Sequence, residues 1–193
     1  MSTCPQCHFE KLYCYCAAIP RLNSQGQFSL LYHDSEYGKL TNTGRLVLQS
    51  LKQHSQDYVW QRKVPNPALL KKLADTSLQS YLLFPADEAQ PAHTQFINAL
   101  PPHFVILDAT WQQARKMVNR SPYLQQLPRL ALSPQQLSQY QLRRNQPQGH
   151  LCTVEVVAAL CEQLAEPHNA AQLKQLLRHF MHHYQAMRDH QPL

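Results

Sequence analysis

Hydrophobic positions in this chain fall into short runs separated by polar and amphipathic stretches. Phe28 to His33 (FSLLYH) reads as a buried strand. The polar stretch DSEYGKLTNTG that follows is a loop leading into a helix over Arg45 to Lys52. Tyr58 to Val64 is a second candidate strand, and Pro65 to Asp75 a short helix opened by prolines. Tyr81 to Phe84 (YLLF) is a short apolar strand stopped by Pro85. A helix around Thr94 to Leu100 leads to Phe104 to Asp108 (FVILD), the clearest buried strand of the chain. Trp111 to Asn119 reads as helix, Arg129 to Leu132 as a further short strand, and Thr153 to Ala165 as helix. Short apolar strands alternating with helices predict an α/β domain with a mainly parallel sheet.

The strongest periodicity is at the C-terminal end. Leu173, Leu176, Leu177, Phe180, Met181, Tyr184 and Met187 recur at helical spacing and predict a face packed on the body. His179, His182 and His183 fall largely off that stripe and are expected on a solvated face.

Composition narrows the function classes. The chain has 193 residues, 44% of them hydrophobic, so it can bury a core, and one domain with a small appendage is expected. Its four glycines, Gly26, Gly38, Gly44 and Gly149, are too far apart for a Gly-x-Gly-x-x-Gly turn, a Walker A loop or a nucleophile elbow. A nucleotide-like cofactor would therefore need another backbone geometry. No apolar run approaches the ~20 residues of a membrane span, and the polar, cysteine-bearing start does not read as a signal peptide. A cytoplasmic protein without a membrane partner is expected. Eighteen Lys plus Arg against 12 Asp plus Glu give a net charge of +6, a balance that favours polyanions such as nucleic acid.

Four of the six cysteines open the chain as C-x2-C-x6-C-x-C: Cys4, Cys7, Cys14 and Cys16. Two close pairs of thiolates suit one tetrahedral ion, and a segment this short needs a metal to supply its folding energy. A structural zinc site over residues 1–24 is expected, with His8 as an alternative ligand and disulfides as the competing reading. Cys152 and Cys161 are spaced for a helix and read as core.

In open α/β sheets, ligands bind at the carboxyl ends of the strands. Three predicted strand ends carry suggestive residues: His33-Asp34-Ser35-Glu36, Phe84 to Ala89, and Asp108-Ala109-Thr110-Trp111. The third has a structural alternative. Thr110 and Gln113 form a T-x-x-Q capping box, Trp111 can pack on the sheet, and Asp108 can brace the turn.

The Asp-x-Thr-Trp run resembles the DTW-domain family, which is named after that motif. The resemblance spans most of the chain. It takes in the cysteine pairs, Leu31-Tyr32-His33, Thr41 to Leu46, Leu82 to Pro85, DATWQQARKM, Arg120 to Tyr123, Leu127 to Arg129 and Cys152 to Glu155. Asp34 departs from it, standing where the family's His-Pro-x-Glu stretch has Pro. The resemblance implies a catalytic domain over 25–193 related to the SPOUT methyltransferases, whose chain ties a trefoil knot around S-adenosylmethionine. It implies transfer of that donor's 3-amino-3-carboxypropyl group to N3 of a tRNA uridine, in the variable loop by analogy with bacterial relatives, with 5′-methylthioadenosine leaving. A SPOUT-like RNA methyltransferase, or a zinc-dependent RNA-binding module without catalysis, is the alternative.

Under that reaction Asp108, Thr110 and Trp111 are the candidate catalytic residues, Asp108 as general base or as an orienting group. Leu83, Phe84, Pro85, Asp108, Arg115, Thr153 and Glu155 are expected at the cofactor, with Arg115 or Lys116 on its carboxylate and Glu155 on its ammonium. Arg45, Lys116, Arg143 and Arg144, with Arg115, are expected on the RNA. The sequence leaves monomer or homodimer open.

Overall fold

The computed structural model describes residues 2–85, 92–93, 100–132, 138, 140 and 151–193. Contacts divide them into two compact units. One comprises residues up to Leu22, Lys39–Leu51 and the C-terminal part from Pro134; the other comprises Asn23–Gly38 and Lys52–Ser133.

The second unit is the sheet. Its strands are β1 (Gln27–Tyr32), β2 (Ser55–Val59), β3 (Gln79–Leu83), β4 (Ala92–His93), β5 (Pro102–Asp108) and β6 (Arg129–Leu130). They lie in the order β2-β1-β5-β3-β6-β4 with every pair parallel. FSLLY and FVILD are legible as strands because inner parallel strands are buried on both faces and so read as unbroken apolar runs. β2 begins three residues earlier than Tyr58 and stops at Val59, while Lys63 and Val64 are exposed. It pairs only with β1, from Phe28↔Ser55 to Tyr32↔Val59, and an edge strand with one neighbour tolerates the polar residues Ser55, Gln56 and Asp57.

Leu31, Leu82 and Val105 share one side of the sheet and pack with α2 (Pro67–Leu73), α3 (Trp111–Asn119) and α4 (Pro122–Gln125) through Leu69, Met117, Val118 and Leu124. Asn66 caps α2, its side chain accepting from the amides of Ala68 and Leu69, with Pro67 at the first helical position. The predicted helix over Thr94 to Leu100 lies almost wholly outside the described residues.

Between those inner strands sits a polar cluster. His103 is fully buried, with Nε2 2.7 Å from Ser29 Oγ and Nδ1 2.8 Å from Ser80 Oγ. Burial, helped by the positive charge of Lys72 and opposed by Asp75, pushes the imidazole down to about 4. An unfolded histidine takes up its proton near ~6.5, so the unfolded state gains a proton that the folded state refuses, and stability falls as pH drops from ~6.5 to 4. Between pH 7 and pH 5 this group is expected to remove about 2 kcal/mol of stability. Urea titrations of the protein and of His103→Gln at both pH values check it: the variant loses that part of the pH dependence.

The first unit contains α1 (Gly44–Ser50), α5 (Thr153–Gln163) and α6 (Pro167–Asp189). Leu173, Leu176, Leu177 and Phe180 of the predicted stripe are buried, whereas Met181, Tyr184 and Met187 are half-buried. Cys152 and Cys161 are core residues of α5 and its cap. His183 differs from expectation. Its Nδ1 donates to the Tyr13 carbonyl (3.1 Å), its ring meets Tyr15 edge-on, and burial holds its pKa down. Periodicity placed it off the stripe correctly, but the opening segment of the chain covers that flank of the helix.

Candidate functional site

In the first unit, a two-residue bridge between Thr3 and Glu10 closes a small turn that carries Cys4 and Cys7. Two single 3-10 turns, Lys11–Tyr13 and Cys16–Ala18, present Cys14 and Cys16. The four sulfurs lie within 4.8 Å of one another, with Cys4–Cys16 and Cys7–Cys14 both at 3.7 Å. A tetrahedron of sulfurs ~2.3 Å from a central ion has edges of about 3.8 Å, so the donor set fits such an ion. All six cysteines are free thiols, which sets aside the disulfide reading. His8 is outside the cluster; it occupies a left-handed turn position at φ 64°, and its amide donates to the Cys4 carbonyl. The main-chain amides of Cys7 and Gln6 hold the Cys4 thiol down to about 6, whereas burial pushes the Cys7 and Cys16 thiols up.

α1 braces this turn. Arg45 Nη1 donates to the Cys7 carbonyl (3.0 Å) and Nη2 to that of Lys39 (2.9 Å), while Gln49 Nε2 donates to the Gln6 carbonyl (2.9 Å). Residues four apart share a helix face, so the two side chains reach the turn together. Two donors of Arg45, expected on RNA, are thus committed to the protein's own main chain. Glu155 is likewise engaged: its Oε2 accepts from the Cys152 amide (2.8 Å) and from Ser138 Oγ (2.6 Å), closing the capping box of α5. Thr153, beside it, is buried.

In the second unit, the carboxyl edge of the sheet gathers the remaining residues. Asp108 ends β5 and is 1% exposed. It pairs in register with Tyr32, and its carbonyl accepts from the His33 amide (3.1 Å). Thr110 caps α3, its Oγ1 accepting from the Gln113 amide, and Gln113 Oε1 accepts from the Thr110 amide (2.9 Å). The predicted capping box is therefore present. Gln113 also reaches outward, Nε2 donating to Ser35 Oγ at 2.9 Å, and so ties the start of α3 to the turn after β1.

Trp111 is 46% exposed and stacks on Phe84, with centroids 5.2 Å apart and planes 15° from parallel. The Arg129 guanidinium lies 5.2 Å from the centroid of the same Phe84 ring, and its Nη1 donates to the carbonyl of Pro85 (3.3 Å). Aromatic stack and cation together form a platform whose outer surface is the open face of Trp111. Leu83 and Phe84 are half-buried, Pro85 is exposed, and Arg115 and Lys116 are exposed on α3. Arg143 and Arg144 lie outside the described residues. Sequence reasoning did not single out Arg129 or the Gln113–Ser35 link. A charged residue in the short apolar run Arg129 to Leu132 was the available signal for the first.

The DTW domain family model matches residues 1–185. The chain belongs to the DTW domain family. The DTW chain is also 30% identical over 185 residues to tRNA-uridine aminocarboxypropyltransferase 2 of Drosophila melanogaster, covering 93% of this chain and 72% of that protein. No solved structure matches it. Among the described residues of the DTW chain, no helix is long and apolar enough to cross a membrane.

Proposed function

We propose that this DTW protein transfers the 3-amino-3-carboxypropyl group of S-adenosylmethionine to N3 of a uridine in tRNA. The observation that carries the reading is the position of Asp108-Ala109-Thr110-Trp111 at the carboxyl edge of a parallel sheet, where such sheets bind ligands, in a chain aligned over 93% of its length with a relative named as a tRNA-uridine aminocarboxypropyltransferase. The SPOUT-like knot implied by the resemblance belongs to the same proposal.

The donor supplies an electrophilic methylene beside a sulfonium. The chain's own residues have to align and select. Trp111 offers a flat, half-open face for a base or a cation, a contact worth ~0.5–2 kcal/mol, and Phe84 and Arg129 hold that face in place. Asp108 supplies a negative charge at the end of an inner strand, suited to orienting a cationic group. Thr110 sets the start of α3 and with it the direction of Trp111. Leu83, Phe84 and Pro85 line the neighbouring strand end, with Arg115 as the candidate partner of a carboxylate. Thr153 and Glu155 are carried as donor-site residues, Glu155 through the cap that shapes the start of α5. Arg115 and Lys116 are the exposed cations nearest this motif in sequence and are proposed on RNA phosphates together with Arg45, Arg143 and Arg144. The cysteine cluster is proposed to hold zinc as a closed structural site.

Turnover with unmodified tRNA tests the reading through its co-product. Release of 5′-methylthioadenosine, one per modified uridine, is expected. S-adenosylhomocysteine would make the protein a methyltransferase and overturn the proposal.

A further inference from the structure

The turn after β1 gathers polar groups around one nitrogen of an imidazole. His33 Nδ1 lies 2.8 Å from Asp34 Oδ1 and 2.9 Å from Ser35 Oγ. The Ser35 amide donates to the same Asp34 oxygen at 2.8 Å, which fixes that carboxylate against the ring. Ser35 Oγ in turn accepts from Gln113 Nε2, at the start of the helix that carries Trp111. The Ser35 amide also reaches Nδ1, at 3.3 Å, but lies closer to Asp34; the tautomer with its hydrogen on Nδ1, facing the carboxylate, carries its lone pair on Nε2, which no described residue bonds. The ring stacks on Trp60 at 6.0 Å and 23°, and Trp60 is itself locked by Nε1 donating to Ser121 Oγ at 2.9 Å.

We infer that His33 is the general base that takes the N3 proton of the uridine, with Asp34 and Ser35 as its positioning residues. The inference rests on the transfer reaction proposed above. Access decides between the two candidate groups at this edge: the His33 side chain is 16% exposed, whereas Asp108 is 1% exposed. Chemistry agrees, since imidazole is the side chain whose ordinary range straddles neutral pH, while a carboxylate is a weak base there. In the step, the N3–H bond breaks and its proton passes to His33 Nε2. The nitrogen's electron pair forms the bond to the donor's methylene carbon as the carbon–sulfur bond breaks, and that bond's pair stays on sulfur.

Among the described residues, the titratable groups bonded to His33 are Asp34 at its ring and, through the main chain, Glu36, Tyr37 and Asp108. His33→Gln is expected to lower kcat about 100-fold with the KM for tRNA within about twofold, and to erase the acid limb of the kcat profile. Added imidazole is expected to restore part of the rate to His33→Ala. Asp34→Asn is expected to lower kcat several-fold with the KM for tRNA within about twofold, and Asp34→Glu to recover part of that rate. Unchanged kcat and an intact acid limb in His33→Gln overturn the inference, as does an Asp34→Asn protein with the wild-type kcat. If His33→Gln fails to fold, the imidazole rescue and the Asp34→Asn and Asp34→Glu rates decide. Wild-type protein that releases no 5′-methylthioadenosine marks failure of the reaction assigned above; wild-type release with an indifferent His33 marks failure of the base alone.

Discussion

Asp108→Asn is expected to reduce transfer to tRNA about a hundredfold to a thousandfold, through a higher KM for the donor and a lower kcat together. The amide has the shape of the carboxyl group and removes only its charge. Asp108 closes an inner strand whose two neighbours, β1 and β3, fix its position, and its own carbonyl is held by the His33 amide. A charge set this firmly costs no reorganisation when it meets a cationic group, which is why its removal should be felt in alignment as well as affinity. A purely structural role predicts something else. The buried substitution would then cost ~1–3 kcal/mol of stability, and the activity loss would vanish well below the unfolding midpoint. Initial rates at varied donor concentration, measured cold and warm alongside a thermal melt, separate the two. The acid limb of the pH profile should survive in this variant, because the proton passes to His33.

Why some of this could be read from the sequence and some could not follows from range. FVILD declared itself because both faces of an inner parallel strand are apolar, and the T-x-x-Q box because a cap is made by residues three apart. The cysteine spacing gave the four-sulfur cluster for the same local reason. β2 was placed too late because an edge strand carries little apolar signal. Arg129 sits 45 positions from Phe84, and only the parallel pairing of β3 with β6 brings its guanidinium onto that ring. Nothing in a charge count distinguishes it from an exposed arginine. Arg45 is the converse case: its charge suggested RNA, while the carbonyls that take two of its donors come from the folded cysteine turn and from Lys39. His33 and Asp34 are adjacent, yet sequence alone does not reveal that a turn folds the carboxylate back onto Nδ1.

Removing the metal proposed for the cysteine cluster is expected to have the largest effect on the fold itself. The opening segment has little regular structure of its own, a two-residue bridge and two 3-10 turns. It nevertheless contributes Phe9 and Tyr15, both essentially buried, to an aromatic cluster in which Phe9 meets Tyr15 at 5.1 Å, Phe180 at 5.6 Å and Tyr184 at 5.9 Å. Structural zinc contributes ~10–16 kcal/mol of apparent binding energy at neutral pH in small modules, as much as the ~5–15 kcal/mol that holds a whole domain. Four thiols without an ion cannot replace that, and Cys7, at 0% exposure, would be left without water to solvate it. The protein as purified is therefore expected to carry one zinc per chain by mass spectrometry. Chelation, or Cys7→Ser, should release residues 2–22 and uncover the Phe180 and Tyr184 side of α6. Hydrogen exchange should then rise in the opening segment and along α1, whose Arg45 and Gln49 lose their carbonyl partners, while β1 and β5 keep their protection. Protection in the opening segment that survives complete loss of metal would show that aromatic packing alone holds it.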